Sequence, residues 1–180
     1  VTGKAIKRAR IPLGIAATAV FLVLAQPTWR SLLLSLPFVV AGLWLRGYAS
    51  GYLSKNRELA TTGPYAYTRN PLYLGSAILG VGQAVAGWNG WVAAGLAVLF
   101  AAVYTPTILN EERFLRSKFP DFDAYTRKVP RLIPRLRPAR LEGGGGGFSR
   151  ALYLKHKEYH APLGALAMYA ALVARILLSR

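Results

Sequence analysis

A chain of 180 residues with 53% hydrophobic side chains, only 17% charged ones and a formal net charge of +16 is too apolar for a soluble domain, which carries about a quarter charged residues. Apolar and strongly basic together argue against a soluble nucleic-acid binder and for a membrane protein with basic cytosolic loops. The absence of cysteine excludes disulfides, thiolate catalysis and thiolate metal sites.

Crossing a hydrocarbon core about 30 Å thick takes roughly 20 apolar helical residues, and five segments come close. The first, Ile11 to Ala25, is short and follows Lys4, Lys7, Arg8 and Arg10. It has the outline of a signal peptide, but no small-x-small cleavage site follows, and Pro27-Thr28-Trp29-Arg30 reads as a tight turn into a second helix. That second segment runs from Leu32 to Leu53 and contains Arg46 and a Gly47-x-x-x-Gly51 motif, read as close helix packing. The third runs from Leu72 to Trp88, and the fourth from Trp91 to Leu109, with only Asn89-Gly90 between them. A stretch from Glu112 to Lys128 places Phe114, Leu115, Phe119, Phe122 and Tyr125 among basic residues, as an interfacial amphipathic helix does, until Pro130 and Pro134 stop it. Five glycines, Gly143 to Gly147, form a flexible linker to a fifth segment, Ala161 to Leu178.

The expectation is an all-α polytopic transmembrane helical bundle of about five spans. Its core is residues 1–141, followed by a linker at 142–150 and a C-terminal transmembrane helix at 151–180. The linker leaves that last helix for anchoring, or for contacts between copies in a homo-oligomer, and not for catalysis. Basic residues crowd three places: before the first helix, between the second and third, and between Glu111 and Lys157, where twelve lysines and arginines lie. The positive-inside rule puts all three in the cytosol. Trp88 and Trp91 then sit at the outer interface.

The two-residue turn makes the third and fourth helices an antiparallel hairpin. At 1.5 Å per residue, Asn70 lies about 27 Å back from Trp88, and Glu111 about 30 Å on from Trp91. The segment Gly63-Pro64-Tyr65-Ala66-Tyr67-Thr68-Arg69-Asn70-Pro71-Leu72-Tyr73-Leu74-Gly75 and the segment Asn110-Glu111-Glu112 therefore meet at one level, the cytosolic membrane boundary. Ionisable groups at that depth are costly and are usually functional. Together they suit a zwitterionic, cationic ligand such as S-adenosylmethionine. Arg69 would take its carboxylate, Glu111 and Glu112 its ammonium and ribose hydroxyls, and tyrosine faces its adenine and sulfonium.

These two blocks resemble the integral-membrane S-adenosylmethionine-dependent methyltransferases, a family that includes the isoprenylcysteine carboxyl methyltransferases and the phospholipid N-methyltransferases. The resemblance covers roughly residues 42 to 134 and rests on Gly63-x-Tyr65, on Arg69-Asn70-Pro71-x-Tyr73-x-Gly75, and on a glutamate pair one helix later. It implies that Tyr65, Arg69, Asn70, Pro71, Tyr73, Gly75, Glu111 and Glu112 bind S-adenosyl-L-methionine. It also implies that the methyl acceptor is lipidic. The tail Val129-Pro130-Arg131-Leu132-Ile133-Pro134 is similar to that of the carboxyl methyltransferases. Asn70 stands where those have histidine and where the phospholipid enzymes have asparagine. A carboxylate acceptor is slightly favoured over a phospholipid amine, and no catalytic base is assigned.

The simpler readings differ by residue. Arg46 reads as a snorkelling anchor, and Tyr65 and Tyr67 as interface aromatics. His156 and His160 stand four apart, as metal ligands on a helix would, but without a third ligand no metal is assigned. A membrane reductase using NADPH resembles the same Arg-Asn-Pro-x-Tyr pattern, although two glutamates would repel its phosphates. A basic, lipid-binding membrane adaptor would leave the two blocks unexplained.

Overall fold

The structure, a computed structural model, describes residues 14–54, 57–140 and 146–179. The basic residues Lys4 to Arg10, the start of the first segment and Gly143 to Gly145 lie outside them. Every regular element among the described residues is helical: α1 (Gly14–Leu24), α2 (Trp29–Ser50), a 3-10 turn (Gly63–Ala66), α3 (Pro71–Gly87), α4 (Gly90–Lys118), α5 (Phe122–Lys128), α6 (Arg150–Lys155) and α7 (His160–Leu178).

Local chemistry sets the helix ends. α2 begins three residues earlier than its apolar run, because Thr28 and Ser31 form a capping box. The Thr28 hydroxyl accepts from the Ser31 N–H at 3.0 Å, and the Ser31 hydroxyl accepts from the Thr28 N–H at 2.9 Å. Trp88 ends α3 in the left-handed region, with φ 45°. Asn89 then opens α4, its side-chain oxygen accepting from Trp91 N–H at 2.9 Å. Pro71 stands at the first turn of α3, where its missing N–H costs nothing.

α2, α4 and α7 are long and apolar enough to cross a membrane, whereas α1 and α3 are shorter apolar helices. At 17 residues, α3 spans about 26 Å, slightly less than the hydrocarbon core. Large apolar side chains such as Leu33, Val40, Trp44, Val98 and Leu166 point outward, each more than half exposed. A water-facing surface would not carry them in such number, whereas hydrocarbon solvates them. The chain is an integral membrane protein built as a helical bundle.

The helices interlock through glycines. A Cβ at Gly42 would lie 2.8 Å from the Gly75 carbonyl oxygen, and one at Gly75 would lie 2.7 Å from Arg46 Cγ, so α2 and α3 touch backbone to backbone. The Gly47-x-x-x-Gly51 motif meets the C-terminal segment, where Gly47, against α6, makes the helix contact expected of it and Gly51 does not. Gly47 faces the ring of Tyr153, and Gly51 leaves room for Phe148, both from the C-terminal segment.

That segment is not loosely held either. Leu172 and Ile176 of α7 share one buried cluster with Phe21, Ala25, Leu32, Ala86 and Val92. Arg175 caps the end of α1 by donating to the carbonyls of Leu22 and Val23. Tyr169 and Ser35 hydrogen-bond hydroxyl to hydroxyl. The two histidines expected one helical turn apart are separated by a turn in which Lys157 has φ 54°, so α6 ends before His156 and α7 begins at His160.

α4 also outruns its apolar stretch. It continues to Lys118, so Glu111 and Glu112 lie inside a helix and do not open a new one. The amphipathic segment after it turns its apolar side toward the protein. Phe122, Tyr125 and Val129 are buried with Leu59, Leu115, Phe119 and Ala139, leaving Phe114 half exposed.

Candidate functional site

The site lies where α3 begins and α4 leaves its apolar stretch. Gly63, with φ 57° and the ring of Tyr52 against it, starts a 3-10 turn that no residue with a Cβ would enter without strain. This turn buries Tyr65 and Ala66. From there the chain runs beside the tail of residues 130–139. Arg69 N–H donates to Pro130 at 2.9 Å, Arg135 N–H to Tyr67 at 3.0 Å and Ala139 N–H to Ala66 at 2.9 Å. The tail is thus a backbone-paired strap across the first motif block. Side chains fasten it further. Asn70 donates its amide to the Arg131 carbonyl at 2.9 Å, and the Thr68 hydroxyl lies 3.2 and 3.1 Å from the carbonyls of Arg131 and Leu132.

At the centre is Glu112, buried on α4. Arg131 binds it bidentately, Nε to Oε1 at 3.0 Å and Nη2 to Oε2 at 2.8 Å, and Arg69 Nη1 reaches Oε1 at 3.1 Å. Two guanidiniums around one carboxylate leave it little capacity for anything else. Burial pulls the Arg69 guanidinium below its ordinary range, opposed by Glu112, while the Glu112 hydrogen bonds push Arg131 up. Arg69 Nε is buried without a hydrogen-bond partner.

The sequence-predicted residues are therefore brought to one level, as the hairpin required, but on two faces of α4. Successive helical residues are about 100° apart. Glu112 faces Arg69 and the strap, whereas Glu111, exposed and without an ion pair among the described residues, faces another way. On that second side, the Tyr65 hydroxyl is buried with no hydrogen-bond partner. Glu111, Glu158 and Tyr73 lie within electrostatic reach of it, and burial pushes its phenol pKa up. Tyr73 meets Tyr104 of α4 edge to face, ring centres 5.3 Å apart, and Tyr104 stacks on Phe100 at 4.4 Å. Gly75 is occupied by the contact with α2, and Pro71 is buried at the start of α3.

Two further residues belong to this region. Arg131 was one of twelve basic residues in its loop, and its signal was its place between two prolines in the Val129–Pro134 tail that resembles the carboxyl methyltransferases. Glu158 comes from the turn between α6 and α7 and pairs with Arg46 at 2.8 Å; Arg46 also donates to the Ser76 hydroxyl at 2.5 Å. Arg46 is thus tied inside the bundle and does not snorkel.

Helices of this length and hydropathy, with a polar cluster at one end of α3 and α4, define a polytopic membrane protein with a boundary site. Residues 38–121, which hold most of α2, all of α3 and both motif blocks, match the family model described as phospholipid methyltransferase. Through this segment the chain is similar to the phospholipid methyltransferase family. It is also similar to two curated proteins. One is the nickel-cobalt-cadmium resistance protein NccN of Alcaligenes xylosoxydans xylosoxydans, 41% identical over 57% of this chain and 47% of that protein. The other is the cobalt-zinc-cadmium resistance protein CzcN of Cupriavidus metallidurans, 43% identical over 54% of this chain and 44% of that protein. The chain spans a little under half the length of these relatives. No solved structure matches it.

Proposed function

We propose that the chain transfers a methyl group from S-adenosyl-L-methionine to a lipid-borne acceptor at the cytosolic membrane face. The observation that carries this reading is the buried, unpartnered hydroxyl of Tyr65, with the Glu111 carboxylate, unpaired among the described residues, within electrostatic reach of it. An unpaired buried hydroxyl is costly and suits a ligand oxygen, so Tyr65 would donate to the cofactor's carboxylate. Glu111 would accept from its ammonium, and the rings of Tyr73 and Tyr104 would offer aromatic faces that attract a sulfonium. When bound, the cofactor supplies an electrophilic methyl group on a positively charged sulfur. Arg69, Asn70 and Glu112 serve in this reading as positioning residues. Through Arg131 and the strap they hold the first motif block against α4.

The family match and Asn70 favour an amine-bearing phospholipid over a carboxylate. Membrane lipid modification would also offer a route to a resistance phenotype such as the relatives' names describe. Calorimetric titration of the detergent-solubilised chain tests the cofactor. S-adenosylhomocysteine should bind and NADPH should not, and Glu111→Gln should weaken binding about ten- to a hundredfold, the loss of one charge-assisted hydrogen bond. Binding of NADPH alone would favour a reductase, and binding of neither would favour a membrane adaptor.

A further inference from the structure

The other face of α4 carries a second feature, a cleft that the reactants of the proposed methyl transfer do not occupy. Leu109, Glu112, Arg113 and Arg116 fall on one side of the helix, and with Arg69, Thr126 of α5 and Arg131 of the strap they line a cleft of about 400 Å³. Tyr104 and Glu111 lie about 100° or more around the helix from the middle of this group. The lining holds four guanidiniums and one carboxylate. Asp123 stands beside Arg116 at 2.8 Å, yet even with it the wall keeps two more positive than negative charges.

Glu112 is already engaged by Arg69 and Arg131. Arg69 keeps a buried Nε–H with no partner, and Arg113 makes no ion pair among the described residues. Donors arriving from three segments around one space suit the several oxygens of a phosphate better than a single planar carboxylate. The place fits a lipid more than a solute. Leu109, at the end of the apolar stretch of α4, is the apolar residue of the lining, and half-exposed Phe114 stands on the turn beyond it. Basic pockets at such a boundary bind anionic headgroups.

We propose that this cleft is a binding site for the phosphate of an anionic lipid in the adjoining leaflet, separate from the Tyr65–Tyr73–Glu111 face. The full chain in non-ionic detergent would be titrated with short-chain phosphatidylglycerol, with short-chain phosphatidylcholine and with inorganic phosphate. Phosphatidylglycerol should bind most tightly. An Arg113→Ala/Arg116→Ala variant should bind it at least about tenfold more weakly. An Arg137→Ala/Arg140→Ala variant, which removes the same charge from exposed positions outside the cleft, should bind nearly as well as the parent. Thermal unfolding of each variant checks the fold, and Arg113→Gln alone replaces the double variant if that one is unfolded. Equal loss in both double variants would reduce the effect to diffuse attraction. Equal affinity for inorganic phosphate would make the occupant a solute, and displacement of the lipid by S-adenosylhomocysteine would give the cleft to the cofactor. Any of these three results overturns the proposal.

Discussion

Two sets of ion pairs tie this bundle together, and they are built differently. Glu112 gathers Arg69 from the first motif block and Arg131 from the strap, with three nitrogen–oxygen contacts of 2.8 to 3.1 Å. Arg46 meets Glu158 through one contact of 2.8 Å and has a buried Nε without a partner. The first joins elements within and beside the family-matched segment and has almost every lone pair engaged. The second joins the bundle to the C-terminal segment and holds its carboxylate by a single contact. A carboxylate held by three contacts makes a more rigid support, whereas one held by a single contact makes a looser latch.

The sharpest way to break this comparison is to remove each carboxylate. Glu112→Gln leaves Arg69 buried without its counter-charge and should cost about 3 kcal/mol, read as a lowered midpoint in chemical unfolding. Gly75→Ala follows at about 2 kcal/mol, because its methyl group would press on Arg46 and on the Gly42 carbonyl. It should also disturb the Arg46 latch, so its cost and that of Glu158→Gln should not add. Glu158→Gln alone should cost only about 1 to 1.5 kcal/mol, since Arg46 keeps Ser76 as a partner and is partly exposed. A larger loss for Glu158→Gln than for Glu112→Gln would invert the ranking of the two pairs.

The smallest effect concerns Tyr125, whose hydroxyl donates to the buried Tyr65 carbonyl at 2.8 Å. Tyr125→Phe should cost about 1 kcal/mol at neutral pH. Burial, opposed by Arg69, holds the Tyr125 phenol protonated above its ordinary range. The folded state therefore keeps this proton to higher pH than the unfolded state does. Its contribution is full below about pH 10 and falls as the pH rises beyond that. Unfolding curves on either side of pH 10 should show a shallower alkaline loss in Tyr125→Phe than in the parent.

Much of the fold was legible because its signals are local. The apolar runs marked the long helices, and Asn89-Gly90 fixed the hairpin that brings Arg69 and Glu112 together. The extension of α4 past Glu111 was hidden because charged residues there interrupt the apolar pattern without interrupting the helix. The strap was hidden for another reason. Its pairing uses backbone groups of residues 130–139 with residues 66–69, and backbone hydrogen bonds leave no mark on side-chain pattern. Glu158 was passed over because the glycine run suggested a loosely attached helix, whereas Phe148, Tyr153 and Arg175 fasten the segment to α1 and α2. The split of the glutamate pair between two faces follows from helical geometry once both are known to lie inside α4.

The most direct test is transfer of labelled methyl groups from S-adenosylmethionine by the chain reconstituted in vesicles. Phosphatidylethanolamine, fatty acids and prenylated thiol-carboxylates would be offered in parallel. Label should appear in the lipid fraction and should fall sharply with Glu111→Gln, a base-stable product marking N-methylation and a base-labile one an ester. Label confined to a water-soluble acceptor, or equal labelling by the parent and Glu111→Gln, would contradict the assignment of this face to lipid methylation.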